Sequence, residues 1–162
     1  MSDQYCIFRG QIYPVHLGMD QKIKLISDGP CEGFEPYIDV LGKAHFDCYM
    51  KIVNSNEVEL LFSEEYFIKY CGEYFEPFAG CITGLELEDN SMLLFTPSEQ
   101  LAKKFNFTKD EQFVFKKVVS LDDVDEIKIV KKPILMFSDK KATEDIIKKA
   151  DIKNWLATRK RS

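Results

Sequence analysis

Two stretches of the chain share one short pattern, and both have the form of a β-hairpin. Residues 5–13 read YCIFRGQIY and residues 67–75 read FIKYCGEYF, so an aromatic residue stands two positions before Gly10 and before Gly72. A glycine at the second central position of a two-residue turn adopts the positive φ that a tight hairpin requires. The flanking aromatic and β-branched residues favour strands. The pattern therefore predicts a β-hairpin in each stretch.

Further matching segments follow the two hairpins in the same order along the chain. They pair residues 23–27 with 92–96, and residues 49–59 with 115–125. The first pair predicts a third strand in each copy, and the second predicts a strand that runs into a short helix. Three matches in one order predict an internal duplication. We place pseudo-repeat 1 at about residues 1–64 and pseudo-repeat 2 at about residues 65–137.

Capping residues indicate where the short helices begin. Ser55 or Asn56 in the first copy, and Ser120 or Asp122 in the second, are suitable N-caps. A further helix after residue 96 is predicted with Thr96 as its cap, because a proline and then a glutamate follow at the spacing of a capping box.

The end of the chain changes from the period of strands to the period of helices. From residue 138, the residues Ile146, Ile147 and Ala150 fall on one helical stripe, and Asp151 is placed to cap another turn. We therefore expect a C-terminal helical appendix at 138–162.

The fold class predicted is α+β, with mainly antiparallel strands in two tandem pseudo-repeats that share one core. The whole of 1–162 is predicted to be a single domain.

Charge is distributed unevenly along the chain. Residues 1–90 contain six basic and sixteen acidic side chains, whereas residues 91–162 contain sixteen basic and eleven acidic ones, ending in Arg159-Lys160-Arg161. A formal net charge of −5 gives no general attraction for nucleic acid or an anionic membrane. We expect an acidic face in the first half that meets a basic partner. The alternative is a solvated surface whose charges have no binding role.

The cysteines indicate a reducing compartment. They are odd in number, form no CxxC pair and follow no visible export signal, so we expect reduced thiols and a cytoplasmic protein. They are Cys6, Cys31, Cys48, Cys71 and Cys81. Because neither histidine stands at a ligand spacing from a cysteine, we expect no metal site.

Sequence signatures of catalysis are missing. The chain contains no GxxxxGK[ST], GxGxxG, HExxH or GxSxG motif. His45 and Cys48 are three residues apart, and on a strand such side chains point to opposite faces. We expect no enzyme, no cofactor and no small-molecule substrate. Two alternatives remain open, a small cytosolic enzyme or nucleotide-binding protein of unrecognised family, and a structural or adaptor subunit.

Three segments carry a resemblance to a known class of proteins. FRGQIY at residues 8–13, KIKLIS at 22–27 and GFEPY at 33–37 resemble small bacterial immunity proteins, which are encoded beside secreted polymorphic toxins, including contact-dependent growth-inhibition toxins. The likeness covers about residues 5–137. It implies an antitoxin that neutralises its cognate toxin domain by tight stoichiometric binding. Many such toxins are nucleases with basic active-site surfaces, and the resemblance implies no catalytic residues.

Candidate toxin-binding residues follow from the acidic first half and from one loop rich in glycine and proline. Aromatic residues in such a loop suit an interface, and carboxylates suit a basic partner. Any single carboxylate among them also has a structural explanation, since acidic residues at a helix start are common. The candidates are Phe34, Tyr37, Glu57, Glu59, Glu64, Glu65, Glu86, Glu88 and Asp89.

Overall fold

The structure, a computed structural model, describes residues 3–18 and 22–159. Of the C-terminal basic run, Arg159 is therefore described, and Lys160 and Arg161 lie outside the described residues. The chain divides into two compact units. The N-terminal unit consists of Asp3–Glu64 with Lys132–Ala142, and the described residues of the C-terminal unit are 65–131 and 143–159.

Antiparallel strands form the N-terminal unit. They are β1 (Asp3–Phe8), β2 (Gln11–Leu17), β3 (Ile23–Ser27), β4 (Glu35–Ile38), β5 (Ala44–Val53) and the first half of β6 (Leu60–Tyr70). Their order in the sheet is β4-β5-β3-β2-β1-β6. The returning segment 132–142 joins this unit through a hydrogen bond from the amide of Ile134 to the carbonyl of Leu61.

The second half of β6 begins the sheet of the C-terminal unit. The other elements are β7 (Glu73–Pro77), α1 (Glu86–Asp89), β8 (Ser91–Thr96), α2 (Glu99–Lys104), β9 (Thr108–Glu111), β10 (Val114–Ser120), β11 (Val124–Pro133), β12 (Thr143–Lys148) and α3 (Ile152–Arg159). The strand order is β6-β7-β8-β10-β9, and β11 pairs with β6 and β12. Mostly antiparallel strands with a few short helices confirm the α+β class. No helix in the described ranges has the length and apolar character needed to cross a membrane.

Both predicted hairpins are confirmed. Phe8 pairs with Gln11 across the turn between β1 and β2, and Tyr70 pairs with Glu73 across the turn between β6 and β7. Both central residues of each turn have positive φ, with Gly10 at 78° and Gly72 at 85°. This is the two-residue turn whose twist matches that of the flanking strands.

The later matching segments also adopt similar local structures. The third strands are β3 and β8, and β5 and β10 each run into a 3₁₀ turn, Ser55–Glu57 and Leu121–Asp123. Ser120 caps the second turn as predicted, because its hydroxyl accepts a hydrogen bond from the amide of Asp122 at 3.2 Å. These similarities are local, and the duplication itself stays a prediction.

Two predicted caps are wrong. In the first copy the 3₁₀ turn starts after Asn54, whose side chain makes no capping bond, rather than after Ser55 or Asn56. At α2 the cap is Ser98, whose hydroxyl accepts from the amide of Leu101 at 3.2 Å. Thr96 is still the last residue of β8, so it is two residues too early to cap the helix.

Each unit has its own cluster of buried apolar side chains, where the sequence had suggested one shared core. In the N-terminal unit the cluster consists of Cys6, Phe8, Ile23, Leu25, Val53, Val58 and Leu61. In the C-terminal unit, strands β6, β8 and β11 and helix α3 contribute the most buried members, which include Ile68, Leu94, Ile127 and Leu156. In β1, β3 and β8, alternate residues supply these clusters, as a half-buried sheet requires.

The predicted C-terminal helical appendix is wrong over much of its length. Residues 143–148 form strand β12, which pairs with β11 so that Ile147 lies opposite Ile127 and Ile146 opposite Lys128. Ile146 and Ile147 therefore point to opposite faces, and only Ile147 packs against the buried cluster. The helix α3 begins at Ile152. Pairing with β11 makes this segment a strand. The sequence of a short amphipathic segment does not show that such a partner strand exists elsewhere in the chain.

Candidate protein-binding site

The segment between β7 and β8 forms a groove on the C-terminal unit. After Pro77 the chain makes a 3₁₀ turn, passes Gly84 at a φ of 92°, and enters the single turn of α1. Asn90 then adopts the left-handed conformation, and its amide donates to the carbonyls of Glu86 and Leu87. Such positive φ values suit glycine and asparagine, and they let this short segment fold back beside β8.

The groove has a volume of about 260 Å³. Its apolar lining and its acidic lining come from adjacent parts of one segment, so an apolar floor and negative charge are available to the same ligand. The lining residues are Pro77, Phe78, Cys81, Leu85, Glu86, Asp89, Ser91, Met92 and Leu93.

Three of the predicted carboxylates, Glu86, Glu88 and Asp89, come together on α1. Glu86 has a structural role, because its carboxylate accepts hydrogen bonds from the amides of Thr83 at 3.3 Å and Gly84 at 2.7 Å. Glu88 and Asp89 are exposed. All three carboxylates therefore bring negative charge to this part of the surface, and Glu88 and Asp89 carry it at exposed positions.

An apolar strip continues from the groove onto the outward face of the sheet. Leu93 on β8 pairs directly with Val118 on β10, which is 66% exposed. Leu85, which precedes α1, is also exposed. Sequence reasoning missed these residues. The alternation along β8 could have indicated Leu93. Because Met92 and Leu94 point inward, the residue between them must point outward.

The two predicted aromatic anchors lie in the N-terminal unit. Phe34 is half-buried and packs against the buried cluster, with its ring centroid 5.3 Å from that of Tyr13. It lines a second groove, of about 290 Å³, together with Phe8, Arg9, Gln11, Tyr13, Cys31 and Glu32. Tyr37 lies on the edge strand β4, and its ring is 5.7 Å from that of His45.

The remaining predicted carboxylates have local explanations or are buried. The side-chain amide of Asn54 donates to Glu57 at 3.3 Å, and the amide of Gly10 donates to Glu59 at 2.9 Å. Glu64 and Glu65 are consecutive on β6 and point to opposite faces. Only 8% of Glu64 is exposed, whereas Glu65 is half-buried. Glu64 is therefore poorly placed to meet a partner.

The described ranges contain no cluster of metal-binding side chains. There, no three His, Cys, Asp or Glu side chains are gathered where they could hold a metal ion. His45 and Cys48 both lie on the strand β5, and His45 contacts Asp39 instead. All five cysteines are free thiols. Burial, with a contribution from the charge of Glu59, raises the pKa of Cys6 to about 11, which keeps that thiol neutral.

Comparison with known proteins identifies a family to which the chain is similar. A protein-family model described as "Uncharacterised conserved protein UCP033725" matches residues 1–137. No curated protein and no solved structure matches the chain.

Proposed function

We propose that this chain, which belongs to the family Uncharacterised conserved protein UCP033725, is a bacterial immunity protein. It binds a cognate secreted toxin domain in the cytoplasm and neutralises it by tight stoichiometric protein–protein contact. The toxin is a nuclease with a basic active-site surface. The resemblance of residues 8–13, 22–27 and 33–37 to immunity proteins is where this proposal starts.

The groove beside α1 is the observation that carries the proposal furthest. It combines an apolar lining, which includes Phe78 and Leu93, with the exposed carboxylates of α1 beside it. Specific protein interfaces have this composition, with an apolar centre that supplies affinity and charges at the rim. The apolar strip through Val118 enlarges the surface that a partner can cover.

The sign of the charge favours a basic partner. Residues 1–90, which include all of α1, carry sixteen acidic and six basic side chains. Complementary charge across an interface speeds encounter and excludes wrong partners, and it contributes less to the final affinity. The carboxylates of α1 would therefore steer a basic toxin domain towards the groove, and the apolar lining would hold it there.

Co-expression tests the proposal. The cognate toxin domain is sought as the C-terminal domain of a large secreted protein encoded upstream of this gene, and it is expressed in a bacterial host, either alone or with this chain. We expect growth arrest with the toxin domain alone and normal growth when this chain is present. A chain with Leu93→Ser and Val118→Ser should fold, because serine adds no charge and both side chains point outward on paired strands, and it should rescue growth poorly. Continued arrest in the presence of the wild-type chain would refute the proposal.

A matched control separates specific neutralisation from a general effect of expression. The double variant Ile12→Ser and Ile52→Ser makes the same change at two exposed apolar residues of the N-terminal unit. It should rescue growth as well as the wild type. Equal loss of rescue in both double variants would mean that the groove has no special role.

A further inference from the structure

The hairpin of β4 and β5 presents apolar side chains to solvent at its tip. Val40 is 99% exposed and Leu41 is 90% exposed, and Ile38 and Phe46 beside them are also exposed. Single exposed apolar residues are ordinary on protein surfaces, but a group of them within nine residues marks an interaction site. The groove beside α1 does not account for this group, since the hairpin belongs to the N-terminal unit.

Hydrogen bonds hold the tip in one conformation. One carboxylate oxygen of Asp39 accepts from the amides of Leu41 and Lys43, both at 2.9 Å, and the other lies 2.8 Å from Nε2 of His45. The backbone closes the same turn, because the amide of Asp39 donates to the carbonyl of Lys43 and the amide of Gly42 donates to the carbonyl of Asp39.

The tip is therefore ordered before any partner arrives. Gly42 has a φ of 83°, a conformation that a residue with a side chain rarely adopts. The contacts with His45 and with the amide of Lys43 also hold the pKa of Asp39 below its usual range, so the carboxylate is ionised at neutral pH. A binding element that is already ordered loses little conformational entropy when it docks.

From this geometry we infer that Val40 and Leu41 insert into an apolar cleft with a cationic rim on the toxin domain. The inference rests on the proposed function and names a part of the interface that the α1 groove does not include. Two aliphatic side chains on a rigid turn fit a cleft as anchors. Glu35 on β4 and Asp47 on β5, further from the turn, bring negative charge to the sides of the hairpin that would face the rim.

The negative charge of the hairpin argues against two other partners for its tip, a lipid surface and a second copy of this chain. Residues 35–47 contain three carboxylates and one lysine, so an anionic lipid surface would repel the hairpin. A second copy of this chain would bring the same three carboxylates against each other, because a two-fold contact joins identical patches. A cleft with a cationic rim is the partner that complements both the apolar tip and its charge.

The test compares binding of purified toxin domain by the wild-type chain and by a V40S/L41S variant. Serine removes the apolar side chains without adding charge, and both positions are solvent-exposed, so the thermal unfolding midpoint should stay unchanged. We expect Kd to rise about 100-fold, mostly through faster dissociation. The I12S/I52S variant, which changes two exposed isoleucines of the same unit, should bind as tightly as the wild type.

A second variant tests the rigidity of the tip. D39A keeps Val40 and Leu41 but removes the acceptor that orders them, so it should weaken binding by a smaller factor, about 10-fold. Wild-type affinity in V40S/L41S would overturn the inference and leave the proposed function standing. Absence of binding by the wild-type chain would overturn both.

Two further outcomes would assign the tip to another occupant. Binding of the wild type, but not of V40S/L41S, to vesicles of phosphatidylserine and phosphatidylcholine would overturn the inference in favour of a lipid surface. A dimer of the wild-type chain that V40S/L41S abolishes, measured by sedimentation, would overturn it in favour of self-association.

Discussion

The carboxylate of Glu59 accepts a hydrogen bond from the backbone amide of Gly10, with 2.9 Å between Oε1 and the nitrogen. The amide of Glu59 in turn donates to the carbonyl of Ile7 at 2.8 Å. The residue that precedes β6 is thereby tied to the turn of the first hairpin. This gives a structural use to a side chain that the sequence had placed among the toxin-binding residues.

Replacing Glu59 by alanine should lower the free energy of unfolding by about 1 kcal/mol, because the amide of Gly10 loses its acceptor. Glu59→Gln keeps an oxygen acceptor and should cost less. Urea denaturation of the two variants measures the difference. Unchanged stability together with slower toxin association would instead assign Glu59 to the interface.

Because residues 143–148 form a strand, substitutions at two neighbouring isoleucines of β12 should change stability by different amounts. Ile147→Ala should lower the free energy of unfolding by about 1–2 kcal/mol, because its side chain packs against the buried cluster of the C-terminal unit. Ile146→Ala should change it by less than about 0.5 kcal/mol, since that side chain is exposed. Chemical denaturation of both variants provides the comparison. Equal losses would favour the amphipathic helix that the sequence had suggested.

The sequence revealed local structure better than non-local structure. The turns at Gly10 and Gly72 could be predicted because their chemistry lies within a few residues. The strand β12 could not, because its partner β11 is separated from it by a loop, and Ile146-Ile147 suits a helix as well as a strand. Burial of Glu64 likewise depends on strands packed around β6.

The candidate site could be predicted only in part, for a related reason. Glu86, Glu88 and Asp89 are close in sequence, so they stay close in space. The apolar strip needs Leu93 and Val118, which meet only when β8 pairs with β10. The apolar tip at Val40 and Leu41 was also missed, because its exposure depends on the turn that Asp39 orders.

A pH effect follows from Asp122. Its carboxylate accepts hydrogen bonds from Lys153 at 3.1 Å and Asn90 at 3.2 Å. Both contacts lower the pKa of Asp122, and the contact with Lys153 has the larger effect. Because the pKa of Asp122 is lower in the folded protein than in the unfolded chain, the ionised carboxylate stabilises the fold at pH values above the ordinary aspartate pKa, near 4. This stabilisation is lost as the pH falls through the lowered pKa of the folded protein.

Asp122→Asn should therefore be less stable than the wild type at pH 6, with a difference that shrinks as the pH falls below the ordinary value near 4. Urea unfolding across this range measures the difference. In a Lys153→Met background the effect of Asp122→Asn should shrink, because the main partner is already gone. A difference that persists undiminished at pH 2 would contradict this explanation.

Charge reversal on α1 tests the steering role of its carboxylates. Glu88→Lys with Asp89→Lys should slow association with the toxin domain about 10-fold at low salt and flatten the dependence of the rate on ionic strength. The control, Glu111→Lys with Glu144→Lys, makes the same change in net charge at exposed residues of β9 and β12. Stopped-flow measurements from low to high salt compare the two. Equal slowing in both would indicate an effect of net charge alone.

Titration of the purified toxin domain with this chain tests the central claim most directly. Nuclease activity is measured at a fixed toxin concentration, well above Kd, while the chain is added in steps. We predict that activity falls linearly and reaches its floor at one fixed molar ratio, independent of incubation time. Complete loss of activity at substoichiometric amounts that grows with time would identify an enzyme, and full activity at a large molar excess would refute neutralisation by binding.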